Sequence, residues 1–172
     1  MFPRRNLALL LLQAREAVMT RFRPLIAEEG LTEQQWRILR ALSECSPLEP
    51  GQIAEVCSIL SPSLTGILAR MEAADLVARA QSTADQRRQS VALTPRSRMI
   101  LARMAPRIEA EYRRLESDWG VDTVTELVGM LDRVLAKAVP AEAIPGAARP
   151  AARERRTMAP PPGPPRSPRG KS

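Results

Sequence analysis

A mainly α-helical chain carrying one small β-hairpin is the fold class that this sequence predicts. Three observations predict it. Apolar residues recur at spacings of three and four over most of residues 6–138. Strict alternation appears only in two short stretches, Leu76 to Arg79 and Gln89 to Leu93. Caps and breakers fall where the helical runs change phase.

The first helix is expected from Asn6 to Glu29, with Leu7, Leu11, Ala14, Val18, Phe22 and Leu25 on one stripe and Gly30 ending it. Thr32 and Gln35 form a capping-box pattern that opens a second helix, whose inner face is Gln35, Ile38, Leu39 and Leu42. Pro47 and Pro50 mark its exit. A short helix from Pro50 to Cys57 follows, then a three-residue break. Another helix begins at Ser61, read as an N-cap, with Pro62 suited to the first helical position. In this helix Leu64, Ile67, Leu68 and Met71 share one face. The two alternating stretches flank a polar loop, residues 81–88, and so read as a hairpin with a projecting tip. Thr94-Pro95 starts a long helix carrying Leu101, Met104, Ile108, Leu115 and Trp119. A last helix, from about Asp122 to Ala138, carries Val124, Leu127, Val128, Leu131 and Leu135.

Charge needs dividing along the chain before it is used. The net charge is +7, but residues 141–172 hold seven Lys/Arg against two Asp/Glu, so +5 of it lies there. From Pro140 onward the chain carries nine of its sixteen prolines and almost no large apolar side chain. Such a segment cannot bury enough surface to offset its ordering entropy and is expected to be disordered. The part before it is close to neutral, so any contact with nucleic acid must come from local patches, with the tail adding at most salt-sensitive attraction to phosphates.

Two cysteines, Cys45 and Cys57, are too few to frame a secreted domain. The apolar run Leu7 to Leu12 is too short for a membrane span or a signal core, which leads us to expect a cytoplasmic protein. There is no histidine, no cluster with metal-ligand spacing and no glycine-rich phosphate loop, so neither an enzyme nor a cofactor is expected.

Two short helices joined by a tight turn, followed by a two-stranded hairpin, are the parts of a winged helix-turn-helix. In that motif the second helix enters the major groove of DNA. Its outward face here is small: Pro62, Thr65, Gly66, Ala69, Arg70 and Ala73, with Ser63 at the edge. Ser61, Ser63 and Thr65 are candidate donors to phosphates or base edges, and Arg70 a candidate phosphate contact. A small-residue face packed against another helix is the alternative. At the hairpin tip Arg87 and Arg88 suit a narrow minor groove, with Asp85 placed to pair Arg87; a solvated turn is the alternative there.

The segment Asp85-Gln86-Arg87-Arg88-Gln89-Ser90-Val91-Ala92-Leu93-Thr94 resembles the D-x-R-[KR]…L-T signature of the multiple antibiotic resistance regulator (MarR) family, at the expected distance from a helix-turn-helix. The resemblance covers roughly residues 6–138. Leu11 to Glu16, Leu31 to Ile38 and Pro62 to Leu68 look, within that family, like the regulators of homoprotocatechuate-degradation operons. It implies a homodimeric repressor that binds a pseudo-palindromic operator and is released by a small aromatic acid such as a hydroxyphenylacetate. It also implies a division into an N-terminal dimerisation helix (1–30), a DNA-binding region (31–94), C-terminal dimerisation helices (95–139) and the tail (140–172). Family logic puts the effector between the dimer base and the reading head. Arg15, Trp36, Arg40 and Ser43 are the candidates there, a cation and a ring being able to hold an aromatic carboxylate. Surface or intersubunit ion pairs for the arginines and a core role for Trp36 remain open beside that. Oxidation sensing at Cys45 or Cys57, and a winged-helix module that binds protein, are the competing functions.

Overall fold

The computed structural model describes residues 4–81 and 89–138. The helices run α1 Leu7–Glu28, α2 Glu33–Glu44, α3 Pro50–Val56 and α4 Ser61–Ala73. Strands β1 Val77–Gln81 and β2 Gln89–Leu93 follow, then α5 Pro95–Trp119 and α6 Val121–Ala138.

Local chemistry sets most of these boundaries. Asn6 Oδ1 accepts from the Leu9 N–H at 3.0 Å and caps α1. Gly30, at φ +70, closes it in the left-handed conformation that a residue with no Cβ adopts without strain. The capping box is complete: Gln35 N–H donates to Thr32 Oγ1 and Thr32 N–H donates to Gln35 Oε1. Thr94 caps α5 in the same way, accepting from Ser97 N–H.

Two expectations are corrected. Ser61 is the first residue of α4 and not its cap; Leu60, extended at φ −63 and ψ 133, holds the cap position without a side-chain bond. The reason lies just upstream, where Ser58 at φ 49 reverses the chain and leaves Leu60 as the last non-helical residue. In α1 the last core position belongs to Ile26, with Leu25 only half-buried. Pro24 and Pro106, which had no place in the reading of the helices, sit inside α1 and α5 without ending them.

The hairpin is antiparallel, with Val77 opposite Leu93 and Arg79 opposite Val91. Leu48 adds a bridge to its open edge, exchanging backbone hydrogen bonds with Val91 at 3.1 and 2.8 Å. No periodicity could show this, because a single paired residue has none. The core sits where α2, α3, α4 and the hairpin meet: Ile38, Leu39, Ile53, Met71 and Val91 are wholly enclosed. Each such side chain stabilises the fold by about 1.5–3 kcal/mol relative to exposure. Phe22 and Ile26 from α1, and Ile100 and Met104 from α5, close it from the other side. Helices α3 and α4 meet at 110°, within the range of a helix-turn-helix. Among the described residues no single helix is long and apolar enough to cross a membrane.

Candidate nucleic-acid interface and ligand cleft

Helix α4 divides cleanly into two faces. Leu64, Ile67, Leu68 and Met71 are buried, while Ser61, Pro62, Ser63, Thr65, Gly66, Ala69 and Arg70 are exposed. Gly66 has no need of its missing side chain inside the molecule: a Cβ there would meet only Arg70 Nη1, at an ordinary 3.5 Å. In mid-helix glycine costs about 1 kcal/mol against alanine. A residue that weakens its helix and relieves no internal crowding fits a surface that another molecule must approach closely.

That surface continues onto the hairpin. A depression of about 260 Å³ joins the start of α3 (Pro50, Gly51), the outer edge of α4 (Ser61, Thr65) and the wing strands (Arg79, Gln89). Arg79 Nε lies 3.1 Å from Glu72 Oε2, off the line of a good hydrogen bond, which ties the wing base to α4. The wing-tip candidates Asp85, Arg87 and Arg88 fall outside the described residues.

On the other side of α2 a shallow cleft of about 170 Å³ opens toward α3. Trp36, Arg37, Arg40 and Ala41 form one wall, and Val56 and Cys57 the other. Arg40 pairs with Glu44 at 3.0 Å, and Arg37 Nη1 donates to the Cys57 carbonyl at 2.8 Å. The structure thus brings Trp36 and Arg40 together and leaves the other two candidates elsewhere. Ser43 turns its hydroxyl back to the Arg40 carbonyl at 2.7 Å.

Arg15 belongs to a charge cluster between α1 and the first turn of α2, bonded to Glu16 at 2.6 Å and to Glu33 at 2.5 Å. Arg23 bonds the same two carboxylates, and its hydrogen bonds are the main reason that both Glu16 and Glu33 are held below the usual carboxylate range. Two carboxylates already occupy Arg15. Arg37, absent from the sequence-based candidates, lies one residue from Trp36 and faces α3. The helical spacing of Arg37, Ala41 and Glu44 was the available signal for this wall.

Cys57 is buried, and burial pushes its thiol up, an effect only partly offset by the Arg37 guanidinium. A raised thiol holds little thiolate, the form that peroxide attacks. Among the described residues no group of His, Cys, Asp and Glu side chains is placed to hold a metal ion.

Comparison with known proteins matches residues 31–88 to the MarR family model. The homoprotocatechuate degradative operon repressor of Escherichia coli is 40% identical over 131 residues, which are 76% of this chain and 88% of that protein. The chain belongs to the MarR family.

Solved structures agree with that placement of the fold. NadR in complex with 4-hydroxyphenylacetate superposes with a TM-score of 0.70 at 35% identity, covering 79% of this MarR chain and 96% of NadR. CouR bound to a 23-mer DNA duplex superposes with a TM-score of 0.69 at 28% identity, covering 75% of this chain and 92% of CouR. A MarR regulator binds operator DNA as a dimer. This chain leaves large apolar side chains exposed on α1 (Leu7, Leu11, Leu12) and α6 (Val128, Leu131, Val134, Leu135), the kind of surface that marks an interaction site.

Proposed function

We propose that this MarR chain is a homodimeric repressor of an operon for aromatic-acid breakdown, which holds a pseudo-palindromic operator and releases it when a small aromatic carboxylate binds. The observation that carries the proposal is the outward face of α4: small, exposed and contiguous with the wing base. A helix can lie deep in a major groove only if its outer residues are short. Ser61, Ser63 and Thr65 supply donors to phosphates and base edges, Gly66 lets the backbone approach, and Arg70 takes a phosphate. Arg87 and Arg88 act in the minor groove, with Asp85 steadying Arg87. The reading head spans 31–94, and the helices of 1–30 and 95–139 pair two copies so that two α4 helices face one side of the duplex.

The likeness to a homoprotocatechuate operon repressor and to NadR with its bound 4-hydroxyphenylacetate supports the choice of effector class. In this chain the cleft beside α2 supplies its chemistry: the Trp36 ring for stacking and, on the same wall, the guanidinium groups of Arg40 and Arg37 for the carboxylate. Arg15 and Ser43 contribute indirectly, Arg15 by tying α1 to the start of α2. Such a protein works in the cytoplasm, where its operator lies, and regulates without catalysing a reaction.

A mobility-shift assay on the promoter beside its own gene tests this, at fixed salt and with unrelated competitor DNA. A specific shift that 4-hydroxyphenylacetate or a related aromatic acid reverses is expected. No specific shift would overturn the repressor; a shift that no aromatic acid moves would overturn the effector assignment.

A further inference from the structure

We propose that Arg37 couples the ligand cleft to the recognition helix: it holds the α3–α4 turn in the ligand-free protein and surrenders that hold to the carboxylate of the effector. This rests on the reading that the cleft takes an aromatic acid, and it adds the residue through which the acid acts.

The seven-residue α3 is closed by backbone bonds from the turn, Ser58 N–H to the Glu55 carbonyl at 3.0 Å and Ile59 N–H to the Ala54 carbonyl at 2.9 Å, and the Cys57 carbonyl that follows takes its bond from a side chain. Arg37, reaching across from α2, donates Nη1 to the carbonyl of Cys57, the C-cap of α3. The very next residue, Ser58, adopts φ 49, a left-handed conformation that residues other than glycine keep only when their surroundings impose it. Two residues later the chain enters α4. One side chain of the cleft wall therefore adds a tie, beside those backbone bonds, at the point where the chain turns into α4.

The same side chain is poised for an anion. Its Nε is buried and has no hydrogen-bond partner. Among the described residues it forms no ion pair, whereas its neighbour Arg40 is paired with Glu44. A guanidinium with unused donors beside the ring of Trp36 and the apolar surface of Ala41 and Val56 is matched by a carboxylate on an aromatic ring. About 170 Å³ accommodates one ring, since cavities of about 150 Å³ bind benzene. A carboxylate outcompetes the neutral Cys57 carbonyl because it brings a full opposite charge and two oxygens that match the guanidinium fork, whereas the carbonyl offers only a dipole and one oxygen. The two states then differ in one bond: Arg37 on Cys57 with the turn held, or Arg37 on the ligand with the turn released. The ligand favours the second through its own contact, as linkage requires.

The test measures operator affinity by fluorescence anisotropy at fixed salt for wild type, Arg37→Met and Arg37→Lys, with and without saturating 4-hydroxyphenylacetate; tryptophan fluorescence follows ligand binding. Without ligand, Arg37→Met is expected to bind operator about tenfold more weakly, and the acid to add no further loss. Arg37→Lys, which keeps a charged donor, is expected to retain most of the affinity. A merely structural role would leave the ligand-induced loss factor unchanged in Arg37→Met, and that result overturns the proposal. So does ligand-free affinity equal to wild type. If the acid neither binds nor releases wild type, the effector reading falls, and the ligand-free comparison still decides whether Arg37 holds the turn. Should circular dichroism show Arg37→Met unfolded, Arg37→Gln, a shorter neutral side chain, carries the same comparison.

Discussion

From α2 to β2 nearly every large apolar side chain is enclosed within the one chain: Ile38, Leu39, Leu42, Ile53, Leu64, Leu68, Met71, Val77 and Val91, with Val56 and Leu60 as the exposed exceptions. Helix α6 does the opposite, leaving Val128, Leu131, Val134 and Leu135 in solvent, and the first turns of α1 likewise expose Leu7, Leu11 and Leu12. The region from α2 to β2, the head, thus completes its core within one chain, whereas the arms, α6 and the first turns of α1, leave an apolar face open, the face that the proposed homodimer would cover. The charged ties between α1 and α5, Arg21 to Asp118 at 2.5 Å and Arg103 to Glu29 at 2.5 Å, then hold the arms to each other and so to the head.

The largest effect is expected from damage to the self-contained half. Leu39→Ala removes an enclosed side chain from the centre of the head and should cost about 2–5 kcal/mol in urea unfolding. Operator binding should fall with it, as the unfolded fraction rises. Leu131→Glu, on the open half, places a charge where a partner would cover it. It should weaken dimerisation by about 2 kcal/mol or more, roughly 30-fold, in analytical ultracentrifugation. If Leu131→Glu sediments as wild type does, the arms are not where copies meet, and the contrast between the two regions breaks.

Gly66→Ala sharpens the contrast from the DNA side. It should stabilise α4 by about 0.5–1 kcal/mol in thermal unfolding, because the added Cβ fits. Operator affinity should nonetheless fall. A variant that is both more stable and an undiminished binder would show that Gly66 does not face the groove.

The smallest effect concerns the Arg15, Glu16, Arg23 and Glu33 cluster. The two carboxylates titrate below their ordinary value of 4.5 in the folded chain, chiefly through hydrogen bonds from Arg23. Their contribution is therefore complete above that value and is lost as pH falls through the lowered one. Thermal midpoints should be flat in this respect from pH 7 down to about 4.5 and then decline. The decline should be shallower in Glu33→Gln and slight in both, as the groups are exposed and screened by solvent.

Much of this was legible in the residues themselves. Helical periodicity located all six helices, and the Thr32/Gln35 box and Gly30 fixed their boundary because each acts through its immediate neighbours. The inner face of α4 followed from Leu64, Ile67, Leu68 and Met71 alone, and with it the outer one. What escaped depends on contacts between distant segments. The Leu48 bridge to Val91, the reach of Arg37 across to Cys57 and the engagement of Arg15 by Glu33 have no local signature. For Arg15 an ion pair was left open, and its partner on α2, Glu33, stands eighteen residues away, beyond the reach of any local pattern. The effector class came from family resemblance, since a ring and a guanidinium on one helix face suit many roles.

Two copies that present two α4 helices to one side of a duplex leave a symmetric footprint. Hydroxyl-radical footprinting on the promoter tests this arrangement most directly. Two protected patches are expected, related by a two-fold axis and spaced by about one helical turn, 10–10.5 base pairs, or a multiple of it. Both should fade together when the aromatic acid is added. A single patch without symmetry, or two that respond independently to the acid, would contradict it.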